Sequence, residues 1–351
     1  MSNTSKTPGE LGYYLPAEWS QHEATWLSFP HNLLTWPSER MARIHQTFFA
    51  WIRWLSRGEE VRINVQDEAT VLRIRQAMEE QAVDLNQVRC FIHPSNDAWC
   101  RDHGPAFLVN PEASEKKIIV DWTFNAWGSK YEPFDDDDRI PGRIAELLAL
   151  PYYRPGIVME GGSVDFNGQG TVLTTRSCLL NTNRNPHLNQ TQIEEYLHNF
   201  YGVSQVLWLD EGIAGDDTDG HIDDITRFVN EDTVVTVVEH NAEDPNYAPL
   251  QKNLKALKEM RLLNGKQLNI IELPMPTPLY LEGERMPASY ANFYIANHVV
   301  VVPIFECAED EQALKLLEDC FPGREVVGLS AVDLIWGLGS FHCLSQQEPA
   351  I

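Results

Sequence analysis

The sequence predicts an α/β fold built from several similar strand-and-helix units. Amphipathic helical stretches alternate with short β-branched runs along the whole chain. The last five helices, centred near residues 75, 146, 196, 257 and 316, recur at an average of about 60 residues, with two or three strands per interval. No Pro/Gly/Ser-rich linker divides the chain, so residues 1–351 read as one domain. A closed ring of five units would bring a loop from each to one central hub. An ordinary open α/β sheet gives the same alternation and stands as the alternative.

The first helix is expected over Ser38–Trp54, where Ser38 and Glu39 give a start signal. Further helices are expected at Ala69–Gln81, Arg143–Ala149, Thr191–Phe200, Leu250–Leu263 and Glu311–Cys320. Strands are expected at Val61–Val65, Ile118–Val120, Thr171–Thr174, Val234–Val238 and Val299–Val302, where β-branched residues concentrate. Asn167-Gly168-Gln169-Gly170 and Asn230-Glu231-Asp232 read as hairpin turns. The run Asp135-Asp136-Asp137-Asp138 reads as a solvated loop, with a cation site as the alternative.

Composition narrows the class. Hydrophobic residues make up 43% and charged residues 22%, which is ordinary for a soluble globular protein. No apolar run approaches the ~20 residues needed to span a bilayer. The first residues lack the apolar stretch of a secretory signal, so a cytoplasmic location is expected. A net charge of −24 argues against nucleic acid. It serves solubility, and it would also concentrate a cationic ligand. Cys90, Cys100, Cys178, Cys307, Cys320 and Cys343 form no Cys-x-x-Cys pair, so neither disulfides nor a cysteine metal cluster is expected. Gly168-Gln169-Gly170 and Gly337-Leu338-Gly339 fail as dinucleotide loops, because Leu173 and His342 stand where glycine is required.

The chemistry concentrates in four segments: Asn96-Asp97-Ala98-Trp99-Cys100-Arg101-Asp102, Glu160-Gly161-Gly162, Gly220-His221-Ile222-Asp223-Asp224, and Gly339-Ser340-Phe341-His342-Cys343 near the end. A thiol, a histidine and several carboxylates together suit a substrate that is both cationic and electrophilic, as a guanidinium is. Two carboxylates hold its plane by paired N–H donation. A thiolate attacks its carbon, and a histidine protonates the departing nitrogen and then activates water. If the segment after His221 is extended, His221 and Asp223 face one side and Asp224 points away. Diglycine after Glu160 permits close approach of a ligand. Asp97 and Asp102 bracket Arg101, and one of them is a candidate partner for it. Trp99 can pack flat on an alkyl chain or a cation. Nearby carboxylates raise the thiol of Cys343 above its usual value of about 8.5, and a bound cation reverses that.

These segments occur with Leu15-Pro16-Ala17-Glu18-Trp19, His22-Glu23-Ala24-Thr25-Trp26, Ala288-Ser289-Tyr290-Ala291-Asn292-Phe293-Tyr294 and His342-Cys343-Leu344-Ser345-Gln346-Gln347. Together they resemble, nearly end to end, the agmatine deiminase and bacterial-type peptidylarginine deiminase family of the guanidino-group-modifying (pentein) superfamily. The resemblance implies a five-bladed α/β propeller of strand-strand-helix-strand units around a central site. It implies hydrolysis of a guanidino to a ureido group with release of ammonia, and no metal or organic cofactor. By motif match Cys343 is the nucleophile and His221 the acid/base. Asp102 and Asp223 grip the guanidinium, Glu160 supports the site and Trp99 lines it. One departure is visible: the family usually has Asn-Ile before His-Cys, and here Ser340-Phe341 stands there.

Agmatine is the leading substrate, converted to N-carbamoylputrescine through a thiouronium-type adduct on Cys343, in putrescine supply. It carries two positive charges and no carboxylate. Asp217, with Asp216 and Asp219 beside it, is placed to meet the distant ammonium, and Asp97 is a further substrate-binding candidate. Free arginine or a C-terminal arginyl peptide needs a cation for its carboxylate. Arg285 is a candidate, weighed against a structural ion pair. Amidino transfer and a non-catalytic amine-binding module are the other readings. The partner expected is a small cationic guanidine, with no nucleic acid and no membrane; a homo-oligomer is left open.

Overall fold

Five sheets repeat one wiring pattern. In each, a strand lies antiparallel to the next, the chain crosses over through a helix, and the following strand returns parallel. One sheet has strands Ala106–Val109, Lys117–Val120 and Tyr152–Tyr153, with helix Ile140–Leu148 in the crossover. The next has Val164–Phe166, Thr171–Thr175 and Gln205–Leu209, with helix Gln190–Tyr201. A third has Thr226–Phe228, Thr233–Val238 and Asn269–Pro274, with helix Tyr247–Glu259. A fourth has Tyr294–Ile295, Val299–Ile304 and Glu325–Ser330, with helix Asp310–Cys320. The fifth joins the two ends of the chain. Ser345–Pro349 runs antiparallel to His22–Ser28, which continues through helices Ser38–Leu55 and Glu68–Glu80 to Glu60–Val65 and Val88–Ile92. This computed structural model describes residues 6–351 and is a mixed α/β fold; among the described residues no sheet closes on itself.

The sequence explains the pattern locally. Thr171–Thr175 and Thr233–Val238 are buried along their whole length, as the middle strands of covered sheets must be, so they read as unbroken β-branched runs rather than alternating ones. Helix Ser38–Leu55 buries Ile44, Phe48, Phe49, Trp51, Ile52 and Leu55, a stripe at helical spacing. Helix Gln190–Tyr201 starts on a capping box between Asn189 and Gln192 and stops at Gly202 in the left-handed region. Both expected hairpin turns lie between paired strands. No helix among the described residues is long and apolar enough to cross a membrane.

Three expectations change. Helix Leu250–Leu263 ends earlier, at Glu259: Met260 turns extended, and Arg261 bridges to Gln267 around the Asn264-Gly265 turn. Two strands at the chain ends, His22–Ser28 and Ser345–Pro349, were not expected; they pair with each other across the whole length of the sequence. Asp135–Asp138 is not a solvated loop but a helical turn. Its Asp137 is buried and accepts the backbone N–H groups of Asn96, at 2.7 Å, and of Asp97, at 3.2 Å. The acidic run therefore holds the Asn96–Asp102 segment in place.

The segment leading into the first strand of each sheet positions the site. Cys100–His103 is a helical turn before Ala106–Val109; Gly161–Ser163 and Ile222–Asp224 are 3₁₀ turns before Val164–Phe166 and Thr226–Phe228. Ser289–Asn292 precedes Tyr294–Ile295, and a turn over Phe341–Leu344 precedes Ser345–Pro349. These five lead-ins carry Asp102, Glu160, His221 with Asp223, Asn292, and Cys343.

Candidate active site

Cys343 sits at the centre of the five lead-ins, 5% exposed. Asn292 Nδ2 donates to its Sγ at 3.0 Å, and Asp223 Oδ2 lies 3.5 Å from the same sulfur. The Asn292 amide is oriented by its other end. Its Oδ1 accepts the Cys343 backbone N–H at 3.3 Å and the Ser340 hydroxyl at 2.8 Å. A backbone N–H can only donate, so the NH2 end must face the sulfur. Ser340, the departure from the family pattern, thus supports the nucleophile's neighbour, while Phe341 packs edge-on against Trp51 in the core.

His221 lies between three carboxylates. Its Nδ1 is 3.8 Å from Asp102 Oδ1 and 4.0 Å from Asp223 Oδ1, and its Nε2 is 3.9 Å from Glu160 Oε2. Neither ring nitrogen has a hydrogen-bond partner, nor has Glu160 Oε2 or Asp223 Oδ1. The remaining carboxylate oxygens are anchored. Asp102 accepts from Trp127 Nε1 at 3.0 Å and from the Gly162 N–H at 2.9 Å, and Glu160 Oε1 accepts from Arg184 Nε at 2.6 Å. The anchored oxygens fix each carboxylate and leave a set of unpartnered atoms aimed at one another.

Burial and crowding of charge shift the acidities in opposite directions. Burial, with Asp223 and Glu160 nearby, pushes Asp102 up to about 6, against the opposing pull of His221. Asp223 is buried too, yet its hydrogen bond and charge contact with His342 hold it below the ordinary carboxylate range. Burial opposes a charge on His221, but Asp102, Cys178 and Asp223 outweigh it and hold the imidazole well above its usual value. Cys343 is raised well above an ordinary thiol, first by burial and then by Asp223, Asp224 and Asp102. These directions favour a neutral Cys343 thiol and a protonated His221 in the free site.

The expected site residues come together, with corrections in detail. Asp224 does not point away. Residues 222–224 form a 3₁₀ turn rather than a strand, and at three residues per turn successive side chains diverge by about 120° instead of 180°. Asp224 consequently accepts from Asn292 Nδ2 at 2.9 Å and lies close to Cys343. The diglycine admits protein groups. A Cβ at Gly161 would sit 2.2 Å from the Arg101 carbonyl oxygen, and one at Gly162 2.5 Å from His221 Nδ1. Asp216 and Asp219 are occupied inside the protein, by the N–H groups of Gly220 and His221 and by Arg184 and Lys130 respectively. Arg101 pairs with neither Asp97 nor Asp102 but donates to Gln347 at 2.7 Å. Arg285 forms the structural ion pair, with Asp244 at 2.8 Å.

A cavity of about 600 Å³ opens from the surface to this cluster. Asp102 and Cys343 line its floor; His221, Asp223 and Glu160 are fully buried and do not. Trp99, Trp127, Tyr131, Phe134 and Trp336 form aromatic walls, and Trp99 packs at a tilt against Trp36 with ring centroids 5.2 Å apart. Asp97 and Asp217 both line it. Asp97 is held by Asn32 and Thr35, and Asp217 accepts from Tyr131. Lys130, on the same wall, is engaged by Asp219. Two trios, Glu160–Cys178–His221 and Asp223–Asp224–Cys343, have ligand-type atoms within 4.8 Å of one another. In both trios carboxylate oxygens are already engaged: Glu160 Oε1 by Arg184, Asp223 Oδ2 by His342 and Asp224 Oδ1 by Asn292.

Sequence reasoning missed Asn292, Asp224, Trp127, Arg184 and Glu18 as parts of this cluster. Asn292 and Glu18 do lie in segments that carry the family resemblance, and that was the available signal.

The comparisons agree with the geometry. The matching family model and the relatives and structures above 30% identity are deiminases, hydrolytic enzymes that act on amidines. The profile of the Porphyromonas-type peptidyl-arginine deiminases matches residues 14–349, and the chain belongs to this family. A protein assigned as an agmatine deiminase in Legionella pneumophila (strain Paris) is 36% identical over 346 residues, 97% of each chain. The structure of the agmatine deiminase of Enterococcus faecalis superposes with a TM-score of 0.91 at 31% identity, covering 99% of this chain and 98% of that one. A Campylobacter jejuni agmatine deiminase with a cysteine-to-serine substitution and substrate bound gives 0.86 at 32% identity, covering 96% of both.

Proposed function

We propose that this chain hydrolyses agmatine to N-carbamoylputrescine and ammonia. The observation that carries this reading is the pair of buried, unpartnered carboxylate oxygens beside His221: Glu160 Oε2 and Asp223 Oδ1. Leaving such groups unpaired costs about 1–3 kcal/mol each, so the set calls for a partner. A guanidinium, planar and all-donor, supplies one to each carboxylate.

In this reading Asp102 and Asp223 hold the guanidinium plane over Cys343, with Glu160 supporting it beside His221. The bound cation offsets the carboxylate field, and the Cys343 thiol gives up its proton to solvent as the guanidinium binds, leaving the thiolate. Sulfur attacks the central carbon, forming the S–C bond. Protonated His221 gives its proton to one nitrogen, the C–N bond breaks and ammonia leaves, with a thiouronium-type adduct on Cys343. His221, now neutral, removes a proton from water as the water oxygen bonds to the carbon. Collapse breaks the C–S bond, the remaining hydroxyl proton passes to the departing sulfur, and the neutral ureido product leaves with the Cys343 thiol restored. Trp99 and the other cavity aromatics cover the alkyl chain. Asp217 and Asp97 face the far ammonium. Lys130 is already engaged, so the cavity wall suits an ammonium better than a carboxylate. We further propose that the five units form the blades of a propeller in one catalytic domain, since their lead-ins supply Asp102, Glu160, His221, Asp223, Asn292 and Cys343.

The test offers agmatine, arginine and a C-terminal arginyl peptide to the pure protein and measures ammonia and ureido product. Turnover of agmatine well above the other two is expected. Preference for the peptide assigns the chain as a peptidylarginine deiminase, and product only with an added amine indicates amidino transfer. Binding without turnover of any of the three leaves an amine-binding module.

A further inference from the structure

His342, next to the nucleophile, is a buried histidine that the reaction above does not use. Its Nδ1 lies 2.7 Å from Asp223 Oδ2 and its Nε2 lies 2.8 Å from Glu18 Oε2. An ionised carboxylate can only accept, so both ring nitrogens must donate, which requires the imidazolium. The surroundings balance that charge. Arg227 donates to Glu18 at 2.8 Å and to Asp165 at 2.7 Å, and Arg101 Nη2 lies 3.5 Å from Glu18. Glu18, Asp165 and Asp223 thus face Arg101, Arg227 and His342, three carboxylates against three cations. Beyond Asp223 lie His221 and, 3.8 Å from it, Asp102; Cys343 and Asp224 complete the charged and titratable neighbours.

We infer that His342 is a positioning residue. As an imidazolium bridged between Glu18 and Asp223, it pins Asp223 Oδ2 and turns the unpartnered Oδ1 toward the guanidinium. Its effect on turnover rests on the deiminase reading; its charge state does not. This gives the Glu18 segment, far from Cys343 in sequence, a part in the site. It also explains how Asp223 stays ionised in a fully buried position.

The charge state is read directly. The full chain is labelled with ¹⁵N-histidine, and the His342 ring signals are assigned by their loss in His342→Gln. Both nitrogens of His342 are expected to carry protons at pH 7.5. In Glu18→Gln the Nε2 signal should shift and the Nδ1 signal stay, because only the Nε2 acceptor has changed from a carboxylate to an amide. In kinetics, His342→Gln should raise KM for agmatine about 10- to 100-fold, with a smaller loss in kcat. Asp223, having lost its cation, should take up a proton at higher pH than in the wild type, so kcat/KM should fall more steeply below the limb set by Asp102. A neutral His342 ring in the wild type overturns the inference. So does a His342→Gln variant that loses kcat equally at every pH with KM unchanged. If His342→Gln does not fold, His342→Asn supplies the assignment, and the wild-type and Glu18→Gln spectra then decide the question. If the wild type turns over no guanidine, the deiminase reading fails while the ring signals still decide the charge state of His342.

Discussion

Gly162→Ala probes the centre of the site with one methyl group. A Cβ at this position would lie 2.5 Å from His221 Nδ1, 2.9 Å from Asp102 Oδ1 and 3.0 Å from Asp223 Oδ2. Ordinary contact begins at 3.4 Å, so the shortfalls are 0.9, 0.5 and 0.4 Å. His221 and Asp223 are both fully buried and cannot swing into solvent. The strain of overpacking is about 1–3 kcal/mol, which a fold of this size survives. The chemistry is less tolerant: a misplacement of about 1 Å costs on the order of 100-fold in rate. We expect Gly162→Ala to fold, with a thermal midpoint a few degrees lower, and to lose about 100-fold in kcat for agmatine. Circular dichroism melts and an ammonia-release assay measure the two effects. A folded Gly162→Ala enzyme with wild-type kcat would refute the placement of the acid/base and the two grips around this glycine.

Asn292→Ala removes the donor 3.0 Å from the sulfur, and the rate of alkylation of Cys343 should fall about tenfold at neutral pH; an unchanged rate means the amide does not stabilise the thiolate. The free enzyme should lose kcat/KM as pH falls through about 6, because Asp102 is held there by burial and its protonation ends the grip. A bound guanidinium opposes that protonation, so the acid limb of kcat itself should lie lower; coincident limbs in the two profiles count against the assignment. Asp217→Asn should raise KM for agmatine about fivefold with kcat little changed, since the ammonium is held equally in ground and transition states. A fall in kcat with KM constant places Asp217 in the chemistry instead.

How much was legible can be judged from particular residues. Cys343, His221, Asp102, Asp223 and Glu160 all reach one cluster, because each stands in a short motif just before a strand. Strand interiors were readable from their β-branched runs, and helix ends were accurate where a cap exists, as at Asn189 and Gly202. What could not be read depended on contacts between distant segments. His22–Ser28 becomes a strand by pairing with Ser345–Pro349, and Asp137 is buried by the loop it supports. Asp224 was misplaced because three residues of 3₁₀ turn leave no periodicity to read. Glu18 stands in a segment that carries the family resemblance, but nothing local in sequence ties it to His342 or Arg227 to Asp165, and only tertiary packing brings them together.

The most direct measurement is the intact mass of the protein quenched in acid during turnover of agmatine. A species heavier by agmatine less ammonia, mapped to Cys343 by peptide digestion and missing from Cys343→Ser, is what this account predicts. Steady product formation with no such species at any quench time, and a serine variant that still turns over, would contradict it.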